Sequence, residues 1–302
     1  MRTRVFLTGE QGNLAYYVAK RFEQDPTYEM VWDYKHQDSI LCTHQAPCGY
    51  ELDVRDIVNV RKAFERVMPN IVIHIAALVN TDRCAKNPEY AYEVNTLGAY
   101  NVAKVASEAP YILQYTYFST TATYQPVEYS MVEGHRRDPK TLYGKTKYMG
   151  ELITSRLIHN PLIILPCFIY GGIRDFQVSN IARIIRNFRN GNKETLRVTL
   201  DPTRCKDYMY VTDFADAVYG LIQLRRYGEY NVSRGCPTPF GNVLAEIEKH
   251  VPTNYQLVPS EDYMGNHIVS NVKLCNVLPG WNANVTISEG ITKCMKDFAE
   301  KW

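Results

Sequence analysis

The sequence predicts an α/β protein, a doubly wound parallel sheet joined to a smaller C-terminal lobe. Three observations carry that expectation. Short β-rich runs alternate with amphipathic helical segments through residues 1–171, and repeated β-then-α order implies right-handed crossovers onto one parallel sheet. The run "NIVIHIAA" at 70–77 has the apolar character of a strand covered by helices on both faces. After about residue 172 the rhythm breaks, and Pro and Gly gather in "RGCPTPFG" at 234–241.

The elements follow in order. "RVFLTG" (4–9) is a strand ending in Gly, and "NLAYYVAKRFEQ" (13–24) carries apolar residues at helical spacing. "YEMVWDY" (28–34) is a second strand, "DIVNVRKAFERVM" (56–68) a helix, and 70–77 the third strand. A long helix over 87–109 opens with Asn-Pro, and "YILQYTYFSTTA" (111–122) is the next strand. A helix over 141–158 and one strand over 161–171 complete the alternating part. Beyond it come a helix in "VSNIARIIRNFRNG", a strand leading into a helix over 207–226, and a strand and turn over 228–235. The expected division is 1–171 and 172–302, with later segments able to return to the first unit.

Composition narrows the classes. The 302 residues are 45% hydrophobic and 22% charged, ordinary for a globular protein. Lys and Arg number 34 against 32 Asp and Glu, a net charge of +2, with the basic residues scattered, so nothing favours nucleic acid. Eight cysteines form no C-x-x-C pair and no zinc-ligand grouping, which predicts reduced thiols and no metal. The segment "MRTRVFLTGE" lacks the apolar core of a signal peptide, and "IVIHIAALV" (71–79) is too short to span a bilayer. A soluble cytoplasmic protein is the expectation.

Chemistry enters with "TGEQGNLA" (8–15), placed between the first strand and first helix. There the glycines Gly9 and Gly12 let the backbone approach a diphosphate, and the helix N-terminus offers it N–H groups. Ala15 stands where a third glycine often does, a tolerated change because that position sets helix–strand packing. Asp33, ending the second strand, suits the two ribose hydroxyls and would repel a 2′-phosphate. NAD(H) is therefore favoured, while Lys35 and His36 leave NADP(H) open. In "LDVRD" (52–56), Asp53 could reach the adenine from a strand end. Together these features read as a Rossmann-type dinucleotide-binding domain.

In "TLYGKTKYMGE" (141–151), Tyr143 and Lys147 stand one helical turn apart. The chain has 23 tyrosines, and Tyr16/Lys20 and Tyr100/Lys104 share the spacing, so the pattern alone does not choose. A free phenol titrates near pH ~10. A lysine on the same helix face is expected to stabilise the phenolate, lower that value and hold the nicotinamide ribose. A threonine hydroxyl could hold a substrate carbonyl for hydride attack.

The chain resembles the extended short-chain dehydrogenase/reductase family of sugar-nucleotide epimerases, dehydratases and reductases. The resemblance rests on "TGEQGNLA", "HIAALVNTDRCAKNPEYAYEVNTLGAYNVA" (74–103), "YFSTTATY" (117–124), "YGKTK" (143–147) and "KDYMYVTDFADAV" (206–218). The second segment looks like the dTDP-4-dehydrorhamnose reductase branch. The resemblance implies Tyr143 as acid/base, Lys147 as its partner and Thr120 as third member, with Thr121 the alternate for Thr120. It implies cofactor contacts from Asn13, Leu14, Val54, Ala76, Ala77 and Asn95 as well.

Departures from the family pattern narrow the reaction. Thr121 and Ala122 replace the Asp-Glu pair of the 4,6-dehydratases, and Ala122 replaces the Cys of the GDP-fucose synthases. Phe168 stands where galactose epimerases carry Asn and the rhamnose reductases an aromatic. Thr121, Phe168, Asn180, Arg204, Lys206 and Arg234 are the candidate substrate contacts, the three basic residues for a nucleotide diphosphate. The implied activity is NAD(P)H-dependent reduction of the 4-keto group of a nucleotide-activated 6-deoxyhexose. The alternatives are an NAD-dependent C4 epimerase and a non-catalytic regulatory subunit of the same fold. The helices at 87–109 and 143–158 resemble those that pair family homodimers as a four-helix bundle.

Overall fold

Alternation of apolar side chains decides which helices cover which face of the sheet. The computed structural model describes residues 2–9, 11–32, 52–175, 179–189, 196–198, 201–251, 255–257 and 265–299. Strand β1 (Thr3–Thr8) leads into α1 (Asn13–Glu23), then β2 (Tyr28–Trp32), α2 (Ile57–Val67) and β3 (Ile71–His74). Helices α3 (Thr81–Lys86) and α4 (Pro88–Tyr92) follow, and a π-helical turn at Glu93–Leu97 joins α4 to α5 (Gly98–Ser107). Then come β4 (Gln114–Phe118), a 3₁₀ turn (Thr121–Thr123), α6 (Leu142–Leu157) and β5 (Leu162–Pro166).

The remaining elements are β6 (Phe168–Tyr170), α7 (Asn180–Arg189), β7 (Leu196–Val198), β8 (Cys205–Tyr210), α8 (Val211–Gln223) and β9 (Gly228–Val232). After them lie β10 (Pro237–Pro239), α9 (Phe240–Glu248), β11 (Tyr255–Leu257), α10 (Val272–Val277) and α11 (Ile287–Ala299). The main sheet has the order β2-β1-β3-β4-β5-β9, and every pairing in it is parallel. Val5, Leu7 and Ile73 face α1 and α8, whereas Phe6, Val72 and Tyr117 face α2 and α5. Burial on both faces is what the apolar runs predicted. A third cluster joins α7, α9 and α11 to β8. No described helix is long and apolar enough to cross a membrane.

Three expectations change. The single strand over 161–171 is two: β5 pairs with β9 in the main sheet, while β6 pairs with β8 in a three-stranded sheet ordered β10-β8-β6. The break falls at Cys167, whose N–H bonds Val232 and whose carbonyl turns back to accept from Ile169. The strand over 111–122 ends at Phe118, because Thr120 caps the 3₁₀ turn by accepting from Ala122 N. The helix over 87–109 contains the π turn, and α3 precedes it, started by Asn80 accepting from Arg83 N. Segment 228–235 supplies β9, which pairs with β5 at the edge of the main sheet.

Candidate active site

A cavity of about 430 Å³ opens at the C-terminal ends of β1, β3 and β4, where β1 lies between β2 and β3 and the strand order reverses. Gly9 shapes its floor. Its φ is +82°, and a Cβ there would come within 2.7 Å of Ala76 Cα, so β1's turn can lie against β3's only as glycine. Gly12 N–H donates to Gly9 O at 2.9 Å, closing the turn. Gly12 then enters α1 with no capping side chain and no acidic residue in the first turn, a helix end suited to a diphosphate.

Gly9, Gly12, Asn13, Leu14, Val54, Ala76 and Ala77 all line this cavity. Asn13 also anchors the far wall, donating from Nδ2 to Gly171 O at 2.8 Å. Asp53 is there too, but Arg55 already holds its carboxylate at 2.6 Å. Asp33, Lys35 and His36 lie outside the described residues. Asn95 is a brace rather than a wall. Its side chain accepts from Leu78 N at 2.7 Å and donates to Leu78 O and to Thr146 Oγ1, tying the β3 loop to α6.

Thr141 caps α6 by accepting from Gly144 N, and the helix then presents Tyr143 and Lys147 to the cavity. Thr120 enters from the end of β4 and hydrogen-bonds the Tyr143 hydroxyl. The two competing pairs lie elsewhere: Tyr100 is exposed with Lys104 paired to Glu108, and Lys20 pairs with Glu23 on the outer face of α1. Thr121 points away from the cavity, donating to Pro166 O at 3.1 Å and accepting from buried His267 Nε2 at 2.9 Å. Thr120, not Thr121, joins Tyr143 and Lys147.

The electrostatics differ from expectation. Burial pushes the Tyr143 phenol up, and the Thr120 hydrogen bond works against that rise. Lys147, 1% exposed, is pulled down to about 7 by burial, with Glu151 acting in the opposite direction. Its ammonium sits 4.2 Å from the centre of the Tyr117 ring. The lysine expected to lower the tyrosine is thus itself desolvated and held against an aromatic face. His74, behind it, is pulled down to about 3 by burial and by Lys147.

The other expected substrate contacts lie off this cavity. Phe168 on β6 packs between Lys206 Nζ, 5.0 Å from its ring centre, and the His267 ring. Lys206 is buried on β8. Arg204 pairs with Glu128 at 3.2 Å, Arg234 stands in a turn whose N–H bonds Asp207, and Asn180 opens α7. Sequence reasoning missed Ser119, Glu151, Arg137 and His267, whose partners are remote in the chain. Only Glu151 left a signal, one helical turn beyond Lys147.

A family model described as the NAD dependent epimerase/dehydratase family matches residues 5–233. The spore coat polysaccharide biosynthesis protein SpsK of Bacillus subtilis is 30% identical over 206 residues, covering 64% of this chain and 68% of that protein. UDP-glucose 4-epimerase of Rhizobium leguminosarum bv. trifolii is 26% identical over 264 residues, 79% of this chain and 80% of that one. The Thermus thermophilus UDP-glucose 4-epimerase, solved with NAD, shares the fold at TM-score 0.86 and 22% identity, over 98% of this chain and 99% of that chain.

Proposed function

The chain belongs to the NAD dependent epimerase/dehydratase family, and on that premise we propose that it is a nucleotide-sugar 4-epimerase, inverting C4 of a hexose carried on a nucleoside diphosphate. One observation carries the reading: Thr120, Tyr143 and Lys147 meet in the cavity that the Gly9–Gly12 turn floors. The residues fit NAD, since the cradle at Gly9 excludes any Cβ and α1 brings no competing carboxylate. Bound there, NAD supplies reversible acceptance of one hydride.

The chain's own residues handle the proton. Tyr143 takes it from the C4 hydroxyl as the sugar is oxidised and returns it on reduction. Buried phenols resist ionisation, and the Thr120 hydrogen bond works against that resistance. Lys147, pulled down to about 7 by burial with Glu151 acting in the opposite direction, stands one helical turn beyond Tyr143. Thr120 holds the sugar oxygen in line.

A second reading follows from Phe168, an aromatic where, as the resemblance implies, the rhamnose reductases carry one. Tyr143 would then protonate a ketone oxygen held by Thr120, with NADH the reductant such a site would hold. The test begins with the dinucleotide released from purified protein, followed by NMR of UDP-glucose and UDP-galactose incubated with it. About one NAD per chain and interconversion lost in Tyr143→Phe are expected of the epimerase. Absence of retained NAD, with NADH consumed on addition of a nucleotide-linked 4-keto-6-deoxy sugar, would establish the reductase instead. A homodimer is inferred from Tyr92, Leu97 and Tyr100, and from Met149 and Leu152 on α6, all exposed. Sedimentation at twice 34.8 kDa is the expected result.

A further inference from the structure

Behind the site lies a buried ion pair. Glu151 is 5% exposed, one turn beyond Lys147 on α6. One carboxylate oxygen accepts from the Ser119 hydroxyl, and the other from Arg137 Nε at 3.0 Å. Arg137 continues to Glu229 at 3.0 Å and stacks over the Tyr124 ring at 4.4 Å. Removing such ions from water is costly, and well-packed apolar side chains often hold elements together as well or better. Stability alone is therefore a weak reason for this pair.

The neighbours on each side supply a stronger one. Ser119 adjoins Thr120, lines the cavity and is fixed on its other side by donating its N–H to Ile164 O at 2.8 Å. Lys147 is faced by His74 from β3, by Tyr117 from β4, and by Tyr143 and Glu151 from its own helix. Burial pulls His74 down and pushes Tyr117 up; it raises Glu151 too, but the Arg137 guanidinium at 3.0 Å and the Ser119 hydroxyl act against that rise, so among these groups it is Glu151, paired with Arg137, that brings negative charge. Arg137 competes for that carboxylate and is itself shared with Glu229.

We propose that Glu151 is a positioning residue of the active site: it anchors the Ser119–Thr120 end of β4 and sets a negative charge one helical turn behind Lys147. One side chain thereby ties together the two segments that carry the reacting groups, which come from opposite ends of a long connection. The inference rests on the reading of the cavity as an NAD site.

The test follows the Lys147 side chain directly. The full chain is prepared with lysine carrying 13C at Cε, the Lys147 resonance is assigned by its loss in Lys147→Met, and its titration is followed between about pH 5 and 10. In Glu151→Gln the midpoint is expected to fall by about one unit, a tenfold loss of proton affinity. Glu151→Asp keeps the charge and should bring it back, while Ser119→Ala should leave the midpoint in place and reduce turnover. Removing one partner of a buried pair can prevent folding, so Glu151→Gln/Arg137→Met, which removes both, is measured alongside. A midpoint unchanged in both the single and the double variant overturns the proposal. Failure of the unmodified chain to hold or bind NAD, read separately, overturns the cavity reading and the active-site role with it.

Discussion

Gly150→Ala sets two physical effects against each other, and the structure says which wins. Gly150 is buried in the middle of α6, where alanine would normally gain about 1 kcal/mol of helix propensity. A Cβ there would run into the Tyr117 hydroxyl, lie 2.7 Å from Tyr117 Cζ and 3.3 Å from Ala99 Cβ. Both neighbours are fully buried, so neither can swing into solvent. Overpacking of this kind costs about 1–3 kcal/mol. Displacing the Tyr117 hydroxyl from Lys147 O, which it bonds at 3.3 Å, costs about 1 more. The net expectation is a loss of about 1–3 kcal/mol.

Urea denaturation of the two proteins, compared by midpoint at constant slope, measures it. The double variant Gly150→Ala/Tyr117→Phe should recover part of the loss, since it removes the nearest obstructing atom but not the ring. Because that ring seats the Lys147 ammonium, NADH binding should weaken in the single variant as well. A Gly150→Ala protein more stable than the parent by about the propensity term would show that α6 can back away from the sheet, and the packing argument would be wrong.

Tyr143→Phe should lower turnover by about 10²–10⁴-fold, the usual range for a lost proton-transfer group, with NADH affinity nearly unchanged. Comparable losses in both would mean that Tyr143 binds rather than reacts. Gly9→Ala, forced to φ +82° against the Ala76 backbone, should cost more than about 1 kcal/mol and weaken NADH binding at least tenfold; a spectrofluorimetric titration checks it. His267 is held neutral to about pH 3 when folded and protonates near 6.5 when unfolded, so between those values the unfolded chain carries the extra proton. Stability should therefore climb with pH there, and His267→Gln should flatten the climb by about 1.4 kcal/mol per unit. Asp175, pushed up to about 7 by burial, slopes the other way and is untouched by the substitution. Parallel stability curves at pH 4.5, 5.5 and 6.5 would refute the burial argument for His267.

What the sequence disclosed was whatever is encoded locally. Apolar runs such as Ile71–His74 and the Gly9–Gly12 turn act on neighbours a few residues away, and they carried the order of strands and helices in the alternating part, though not every boundary. Tyr143 and Lys147 needed more than spacing, because two other pairs share it; their placement depends on α6 facing the cavity. The break at Cys167 was illegible because "PLIILPCFIYG" is apolar throughout, and the partners that divide it, β9 and β8, lie some way down the chain. The π turn at Glu93–Leu97 is likewise a tertiary outcome: it lets Asn95 reach both Leu78 and Thr146. The side-chain partnerships of Ser119 with Glu151 and of Thr121 with His267 join residues 32 and 146 positions apart, beyond any periodic signal.

The pairing of β9 with β5 has a practical bearing on anyone who would shorten this protein. A gene fragment ending near residue 171 would encode the dinucleotide turn and both reacting side chains, yet it would omit β9 and α8. β5, with all five of its residues buried, would become a bare, apolar border, the kind that recruits strands from other molecules. The face of α1 bearing Phe22 would lose the cover of Tyr219. Such a fragment should precipitate on expression rather than serve as a minimal cofactor binder.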